Sequence, residues 1–457
     1  MEKFDVLVIG SGSGMIVTAN AIASGLKTAL VEHGRMGGTC INRGCVPSKM
    51  LIYPADVIAM ITEASKLGIN ARLESIDFTK MMDRMHQLVN GDVERQAQAV
   101  EKDPNVKWFK ASGEFVSDYT LKVSDETIKA DKIFIVSGAR PSLPPVKGLG
   151  NIDYLTSDTV LDLKSQPESM IIIGGGYIAA EYGHFFSSMG TKVTIVQRAT
   201  RILSEEEPEI SDVLKEEMSK RMQIFTDFEA IEAKKKDGAK TVVAKNREDG
   251  KVQEFSAETL LVAAGREPNS DILKPEKTGV ELDGRGYIRV NEFLETRKKN
   301  IWAFGDAIGK QMFKHVANYE AQIVWHNANS DHKVKMDYHA APHAVFTHPQ
   351  IASVGLTESE SRRQGYKILV GKAFYEDTAI GAAMGSPKGF VKVIVERKTG
   401  KILGGHIIGP SASILIQEII DAMAVGEGTL IPIARAMHIH PAMPEVVQMA
   451  FVNLAEA

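Results

Sequence analysis

Cys40 and Cys45 are the only cysteines in the 457 residues, and four residues separate them. Two thiols this close can store two electrons by opening and closing a disulfide, with the thiolate as the reactive form. They lie in Gly37-Gly38-Thr39-Cys40-Ile41-Asn42-Arg43-Gly44-Cys45-Val46-Pro47-Ser48-Lys49. Three plainer readings compete. Half a zinc site would need two more Cys or His ligands in paired spacing, and the chain has no second cysteine pair. A structural disulfide closing so short a loop would restrict the unfolded chain little. Two incidental buried thiols stay open, although the flanking glycines and Pro47-Ser48-Lys49 argue against them. A redox couple is the favoured reading, and a helix beginning near the segment would help by placing positive potential there.

The elements that must position this couple recur at long range. Phe4-Asp5-Val6-Leu7-Val8-Ile9 reads as a buried parallel strand and runs into Gly10-Ser11-Gly12-Ser13-Gly14. A helix to about Ser24 follows, then a strand from Lys27 to Val31 that ends at Glu32. Ser169 to Ile173, Gly174-Gly175-Gly176-Tyr177-Ile178-Ala179, a helix to Met189 and a strand to Val196-Gln197 repeat the design. Both are Rossmann openings, in which glycines let the backbone approach a pyrophosphate held at a helix N-terminus. An acid at the end of the second strand takes a ribose hydroxyl. The first copy departs from the pattern, since Met15 fills the third small position; its helix is expected to pack slightly farther from its strand.

Composition bounds the rest. The length exceeds one core, so about three domains are expected. The formal charge of −4 gives no electrostatic case for nucleic acid or an anionic membrane. Lys234-Lys235-Lys236 and Arg297-Lys298-Lys299 read as solvated loops. No secretory signal is visible, no apolar run approaches a membrane span, and cysteine poverty fits a reducing cytoplasm. From about residue 340 an α+β segment follows. Gly389–Val395 and Lys401–Ile408 form a hairpin, Thr357-Glu358-Ser359-Glu360 is a capping box, and a helix over Ser411–Val425 carries Ile414, Ile419, Ala422 and Met423 on one face.

Two dinucleotide sites and a dithiol describe a relay from nicotinamide through flavin to a disulfide. The chain resembles, over nearly its whole length, the flavin- and nicotinamide-dependent disulfide oxidoreductases: dihydrolipoamide dehydrogenase, glutathione reductase and mycothione reductase. Further segments carry the resemblance. Ser137-Gly138-Ala139-Arg140-Pro141 resembles the exit from the flavin domain, and Ala264-Gly265-Arg266-Glu267-Pro268-Asn269 the return. Ile301-Trp302-Ala303-Phe304-Gly305-Asp306 resembles the second flavin motif, and His438-Ile439-His440-Pro441-Ala442-Met443-Pro444-Glu445 the C-terminal signature.

The resemblance implies an α/β fold with two Rossmann-like domains and a C-terminal α+β dimerisation domain. Residues 1–140 and 270–338 would bind FAD, 141–269 NAD(P), and 339–457 would form the interface. It implies that Cys45 is the flavin-proximal thiol and Cys40 the interchange thiol. His440 with Glu445 would be the acid–base pair serving the partner subunit's dithiol, which makes the protein a homodimer with shared active sites. Lys49 and Glu181 would pair near the flavin's reactive nitrogen, and Tyr177 would cover the flavin until nicotinamide displaces it. FAD contacts are expected from Gly10, Gly12, Gly14, Glu32, Gly38, Thr39, Lys49, Gly138 and Asp306. Nicotinamide dinucleotide contacts are expected from Gly174, Gly176, Tyr177, Gln197, Arg198 and Gly265. No metal is expected.

Register bears on the nicotinamide. Glu32 lies seven residues after Gly25, and Gln197 seven after Gly190, so Gln197 holds the acidic slot. An acid there would repel a 2′-phosphate; Gln197 removes that repulsion and Arg198 follows, which favours NADPH and leaves NADH open. The chain ends without the extra cysteines of mercuric reductases, so a small disulfide reaching Cys40 directly is expected. Arg43 between the cysteines, the Gly-Ser-Gly-Ser-Gly turn and Pro444 resemble the mycothione and bis-γ-glutamylcystine reductases. Dihydrolipoamide dehydrogenase is the alternative, and an NAD(P)H oxidase or a redox-inactive flavoprotein a more distant one.

Overall fold

Val6, Leu7 and Val8 of the strand Glu2–Ile9 are fully buried, because parallel strands flank it on both edges. The computed structural model describes residues 1–456 and divides them into two units. The first comprises Met1–Ser48, Lys80–Ser142 and Gly265–Met336. Its sheet runs Val106–Phe109, Thr28–Val31, Glu2–Ile9 and Glu126–Ile135 in parallel, with Val8 opposite both Leu30 and Phe134. Ile301–Ala303 joins the end of Glu126–Ile135 in parallel, while Thr120–Val123 and Gly113–Ser117 extend its start as an antiparallel ribbon. This is the doubly wound order that opens a ligand crevice at the carboxyl ends of the central strands.

The helix Gly14–Ala23 packs closely on this sheet, contrary to the expectation drawn from Met15. A Cβ on Gly14 would stand 2.8 Å from Val8 Cγ1. The close-packing position has moved one residue earlier, and Met15 faces partly outward.

The second unit comprises Lys49–Thr79, Leu143–Ala264 and the chain from Asp337 onward. Its parallel sheet runs Gln223–Phe225, Lys192–Val196, Ser169–Ile173 and Thr259–Val262. Ile171, Ile173, Val196 and Leu260 share a core with Val242 and Phe255 of an antiparallel sheet, Phe228–Lys236, Ala239–Asn246 and Val252–Ala257. Lys234 to Lys236 therefore end a strand rather than forming a loop, and Lys234 and Lys236 both pair with Glu254.

Beyond Asp337 a six-stranded sheet is built around the hairpin Phe390–Glu396 and Ile402–Gly409, with the helix Ala412–Ala424 against it. The capping box at Thr357 has both arms: its side chain accepts from the Glu360 N–H, and the Glu360 carboxylate accepts from the Thr357 N–H. Ile419, Ala422 and Met423 are buried as expected, but Ile414 is 71% exposed. Five residues to Ile419 turn the helix well past one face, and Leu415 and Ile416 take the inward places.

The helical run Gly38–Leu67 is long and apolar enough to cross a membrane by length and composition, which the sequence reading did not single out. Its polar residues have partners on the second unit: Lys49 pairs with Glu181, Asp56 with His184 and Glu63 with His348.

One buried charge cluster fastens the helix Pro208–Ser219 to the six-stranded sheet. Lys392, 4% exposed, donates to Glu207 at 3.0 Å, Glu209 at 2.9 Å and Glu358 at 2.8 Å. The three carboxylates are close enough together to hold a metal ion, but the ammonium already stands among them. Burial opposes its charge, and the bonds to Glu358, Glu209 and Glu207 overcome this and hold it above the usual lysine range. Breaking such a cluster strands buried charge, so Lys392→Met should cost about 3–5 kcal/mol. Adding Glu207→Gln should recover part of that loss. Urea unfolding of the two variants checks this; a Lys392→Met cost below about 1 kcal/mol would remove the cluster as a fastening.

Candidate active site

Cys40 lies on the short helix Gly38–Arg43, and Cys45 is the first residue of the helix Cys45–Glu63. The break between them at Gly44 lets the two sulfurs meet as hydrogen-bonded thiols. Asn42 stiffens the turn, its amide donating to Met36 O and Gly38 O, both at 2.9 Å. The Cys40 thiol is pushed far up by its bond to Cys45, by burial and by Cys45's charge, against a downward pull from Lys314. Sequence reasoning asked for two lowered thiols. In the dithiol state the neighbouring thiol opposes the ionisation of Cys40, so the two protons do not leave together.

The dithiol segment is seated on the first glycine-rich turn. A Cβ on Gly38 would stand 2.6 Å from Gly12 Cα, so side chains would wedge the two segments apart. Glu32 ties them together. Its carboxylate accepts from the Ser11 N–H at 2.9 Å, the Ser11 hydroxyl at 2.8 Å and the Gly34 N–H at 2.8 Å, while Ser11 Oγ accepts from the Gly37 N–H at 3.0 Å.

This turn fits a dinucleotide pyrophosphate. No side chain caps the helix Gly14–Ala23, so the positive end of its dipole is open to an anion. Asp306 is half-buried; desolvation pushes its carboxyl up, and Arg266 at 3.6 Å draws it back. Arg266 Nε and Ser137 Oγ are buried without a hydrogen-bond partner, an arrangement that a polar ligand would satisfy. Thr39 follows Gly38 on the dithiol helix, and the Gly138 carbonyl accepts from the Asn269 N–H at 3.2 Å. The exit and return segments thus run side by side, Ala139–Pro141 pairing with Arg266–Pro268.

The second glycine-rich turn fits a second dinucleotide. Gly176 precedes the helix Tyr177–Ser188 with no side-chain cap, and a Cβ there would meet nothing within 4 Å. Gln197 lies over the turn: a Cβ on Gly175 would stand 2.8 Å from its Cγ, and its amide donates to Arg201 O at 3.3 Å. Arg201 is locked to Asp212 at 2.8 Å. Arg198 is exposed, and its carbonyl accepts from Arg247 at 3.2 Å. Gly265, outside this unit, leaves open space where its Cβ would be.

Lys49, one turn beyond Cys45 on the same helix, donates to both carboxylate oxygens of Glu181 at 2.8 and 2.7 Å. Glu181 also accepts from the Phe346 N–H at 3.1 Å, and the ammonium lies 4.4 Å from the Phe346 ring centre. Burial pushes the Glu181 carboxyl up; the charge of Lys49 and its hydrogen bonds pull the other way. His440 Nδ1 lies 2.8 Å from Glu445, which also accepts from the Ala442 N–H at 3.0 Å. The bond from His440 holds the Glu445 carboxyl below the usual range. That bond leaves Nε2 for proton transfer, on a ring that is 73% exposed. His438 is buried against Glu418 at 2.7 Å, a structural contact.

Two family models match the chain: pyridine nucleotide-disulphide oxidoreductase over residues 4–322, and the dimerisation domain of the same family over 341–451. The chain belongs to the pyridine nucleotide-disulphide oxidoreductase family. Mycothione reductase of Mycobacterium tuberculosis is 36% identical over 466 residues, covering 99% of this chain and 100% of that protein. Dihydrolipoyl dehydrogenase of Chlamydia muridarum is 34% identical over 451 residues, covering 97% and 95%. The HOCl-induced flavoprotein disulfide reductase RclA of Escherichia coli, solved as a Cu(II) complex, superposes with a TM-score of 0.88 at 27% identity, each chain covered to 99%. This family member is an oxidoreductase acting on sulfur groups, with FAD and NAD(P)H as its cofactors.

Within the family member, three residues escaped the sequence reading. Lys314 and Arg247 lie in no motif and reach their sites through the fold. Arg266 lies in the return segment, whose spacing carries no signal that it faces Asp306. Arg43 was weighed as a substrate cue, yet its Nη2 lies 3.8 Å from where a Gly34 Cβ would stand, beside Glu32. Its head group is turned to the nucleotide turn.

Lys49→Met should leave Glu181 buried without its cation and raise its carboxyl further. A carboxyl raised in the folded state binds more protons there than when unfolded, so its contribution to stability falls as pH rises above the unfolded value of about 4.3. The variant's thermal midpoint should therefore drop relative to wild type, and the gap should widen from pH 5 to pH 8. Adding Glu181→Gln should flatten the widening. A gap independent of pH would assign the loss to packing alone.

Proposed function

We propose that this protein is an FAD-dependent NAD(P)H:disulfide oxidoreductase that reduces a small disulfide of the mycothione or bis-γ-glutamylcystine type in the cytoplasm. The observation that carries this reading is the hydrogen-bonded Cys40–Cys45 pair, the only thiols in these 457 residues, at the start of a helix and against a dinucleotide turn. The full-length likeness to a mycothione reductase supports the substrate class. In this reading residues 1–140 and 270–338 hold FAD and 141–269 hold NAD(P). Residues 339–457 pair two subunits, and Tyr177 stands between flavin and nicotinamide.

When bound, FAD supplies two electrons from the reduced nicotinamide to the Cys40–Cys45 disulfide, opening it. Cys40 thiolate then attacks one sulfur of the substrate, whose S–S bond breaks. The departing thiolate takes a proton from His440 of the partner subunit, oriented and kept charged by Glu445 of the partner subunit. Cys45 thiolate attacks Cys40 Sγ in the mixed disulfide, the Cys40–substrate S–S bond breaks, and the second half of the substrate leaves as a thiolate that takes a proton from His440 of the partner subunit after that ring has been reprotonated from water. The enzyme disulfide is closed again, and two electrons and two protons have moved. Lys49, paired with Glu181, places positive charge where the flavin ring would gain negative charge.

Dihydrolipoamide dehydrogenase is the second reading, favoured by the 34% identity across 97% of the chain and by Arg201, which Asp212 withholds from a phosphate.

His440→Gln should slow the disulfide half-reaction by about 10²- to 10⁴-fold, with nicotinamide-driven reduction of the enzyme little changed. Stopped-flow separates the two, and an equal loss in both would remove His440 from acid–base work. A steady-state panel of mycothione, bis-γ-glutamylcystine, oxidised glutathione and lipoamide, each with NADH and NADPH, tests the function. Turnover of lipoamide with NADH alone would select the second reading. In the same panel Gln197→Glu with Arg198→Ala should weaken NADPH use roughly ten- to hundred-fold, the worth of a charge-assisted phosphate contact. NADH use should hold.

A further inference from the structure

Gln197 stands where an acid would repel a 2′-phosphate, and a second arginine besides Arg198 reaches the same strand end. Arg247 follows the strand Ala239–Asn246 of the antiparallel sheet and is exposed. Its guanidinium donates through Nη1 to the Arg198 carbonyl at 3.2 Å, and its main-chain N–H donates to the Asp227 carbonyl at 2.7 Å. The Asp227 N–H in turn donates to Ala199 O, and the Phe228 N–H to Gln197 O, both at 3.0 Å. Phe228 lies opposite Asn246 in the strand pairing. Asn246 also shapes the loop, since its side-chain oxygen accepts from the Glu248 and Asp249 N–H groups at 2.9 and 3.1 Å. Arg247 is therefore tied, by main chain and by head group, to the chain that leaves the strand Lys192–Val196.

These ties hold a cation in place without neutralising it. A carbonyl takes one donor of the guanidinium and leaves its charge and the rest of its planar fork. Among the described residues neither Arg198 nor Arg247 has an ion pair, whereas Arg201 is answered by Asp212 at 2.8 Å and Asp249 by Lys251 at 2.7 Å. Gathering like charge at one strand end costs free energy that an anion offsets. The geometry says which anion. Gln197 lies over the second glycine-rich turn, where a Cβ on Gly175 would stand 2.8 Å from its Cγ, and the residue at this strand end meets the adenosine ribose of a bound dinucleotide. We propose that Arg247 is a second cation for the 2′-phosphate of NADPH, acting beside Arg198 to favour NADPH over NADH. The inference rests on the NADPH reading of this turn. A phosphate accepts charge-assisted, two-pronged bonds from such a fork, and the ribose hydroxyl of NADH does not. The bond to the Arg198 carbonyl sets the direction of the fork beforehand, so less side-chain freedom is lost on binding.

The test uses the FAD-loaded full chain with 2′,5′-ADP and 5′-AMP, which differ only in the 2′-phosphate. Calorimetry gives both affinities without any turnover. The wild type should bind 2′,5′-ADP more tightly than 5′-AMP. Arg247→Met should cut that preference by about tenfold, the worth of one charge-assisted phosphate contact, while 5′-AMP binding holds. Arg247→Lys should keep part of the preference, because it keeps the charge and loses the fork. Raising salt should erode the preference of the wild type more than that of Arg247→Met. A preference unchanged in Arg247→Met overturns the proposal and leaves the NADPH reading standing. An equal loss for both nucleotides does the same, since it makes Arg247 a structural tie only. A wild type without any preference overturns the proposal and the NADPH reading together. If Arg247→Met does not fold, the wild type decides. There 2′,5′-ADP should shield Arg247 from phenylglyoxal, read by peptide mass spectrometry, and 5′-AMP should not; equal shielding overturns the proposal.

Discussion

One carboxylate seats the chemistry. Glu32 ends the second strand and gathers Ser11, backbone and hydroxyl, together with Gly34; Ser11 passes the constraint on to Gly37. Without this tie the glycine-rich turn and the dithiol segment would be neighbours only in sequence. With it, Gly12 and Gly38 are pressed too close for any side chain between them. The position of Cys40 is thereby fixed by the same residues that shape the nucleotide turn, and a redox couple must be placed that closely to pass electrons to a bound cofactor.

Placement alone does not make a thiol reactive. Cys40, half-buried and hydrogen-bonded to the exposed Cys45, resists ionisation, and the fold answers with positive potential. Cys45 begins a 19-residue helix, whose dipole puts positive potential at the sulfur end. Lys314 adds a full charge from another helix. Lys49 is turned away from this role, since Glu181 takes both its strong hydrogen bonds in a buried pair. Two lysines thus differ because of their partners, a distinction invisible in residue type.

The repeat of strand, glycine turn and helix was legible because each element agrees with its neighbours. Buried β-branched runs, positive-φ glycines and a polar strand end all demand the same βαβ unit. The Cys, Lys49–Glu181 and His440–Glu445 constellations were legible because they sit at fixed offsets inside such motifs. What escaped were contacts made by the fold rather than by spacing. Gly14 takes over close packing from the third motif position because Val8 lies directly beneath it. Ile414 turned outward because five residues do not return to the same helical face. Lys392 gathers Glu207, Glu209 and Glu358 across elements more than 30 residues apart in sequence, and Arg247 reaches Arg198 from another sheet. No local pattern encodes those meetings.

The exposed acid–base pair makes the last structural demand. A histidine in open water exchanges protons with solvent as readily as with a substrate, so its carboxylate partner gains little for it there. Yet Glu445 is held down by His440 and by a backbone N–H, a degree of order that a solvated pair does not need. Beside it Met437 is 99% exposed and Ile439 78%, apolar surface that a monomer would hide. The family's dimerisation domain covers this segment. In the proposed dimer the same surface is buried against a second copy, and the twofold symmetry of such a contact delivers His440 twice, once to each dithiol. With water excluded by Met437 and Ile439, the Glu445 carboxylate would hold the imidazole in one orientation through its Nδ1.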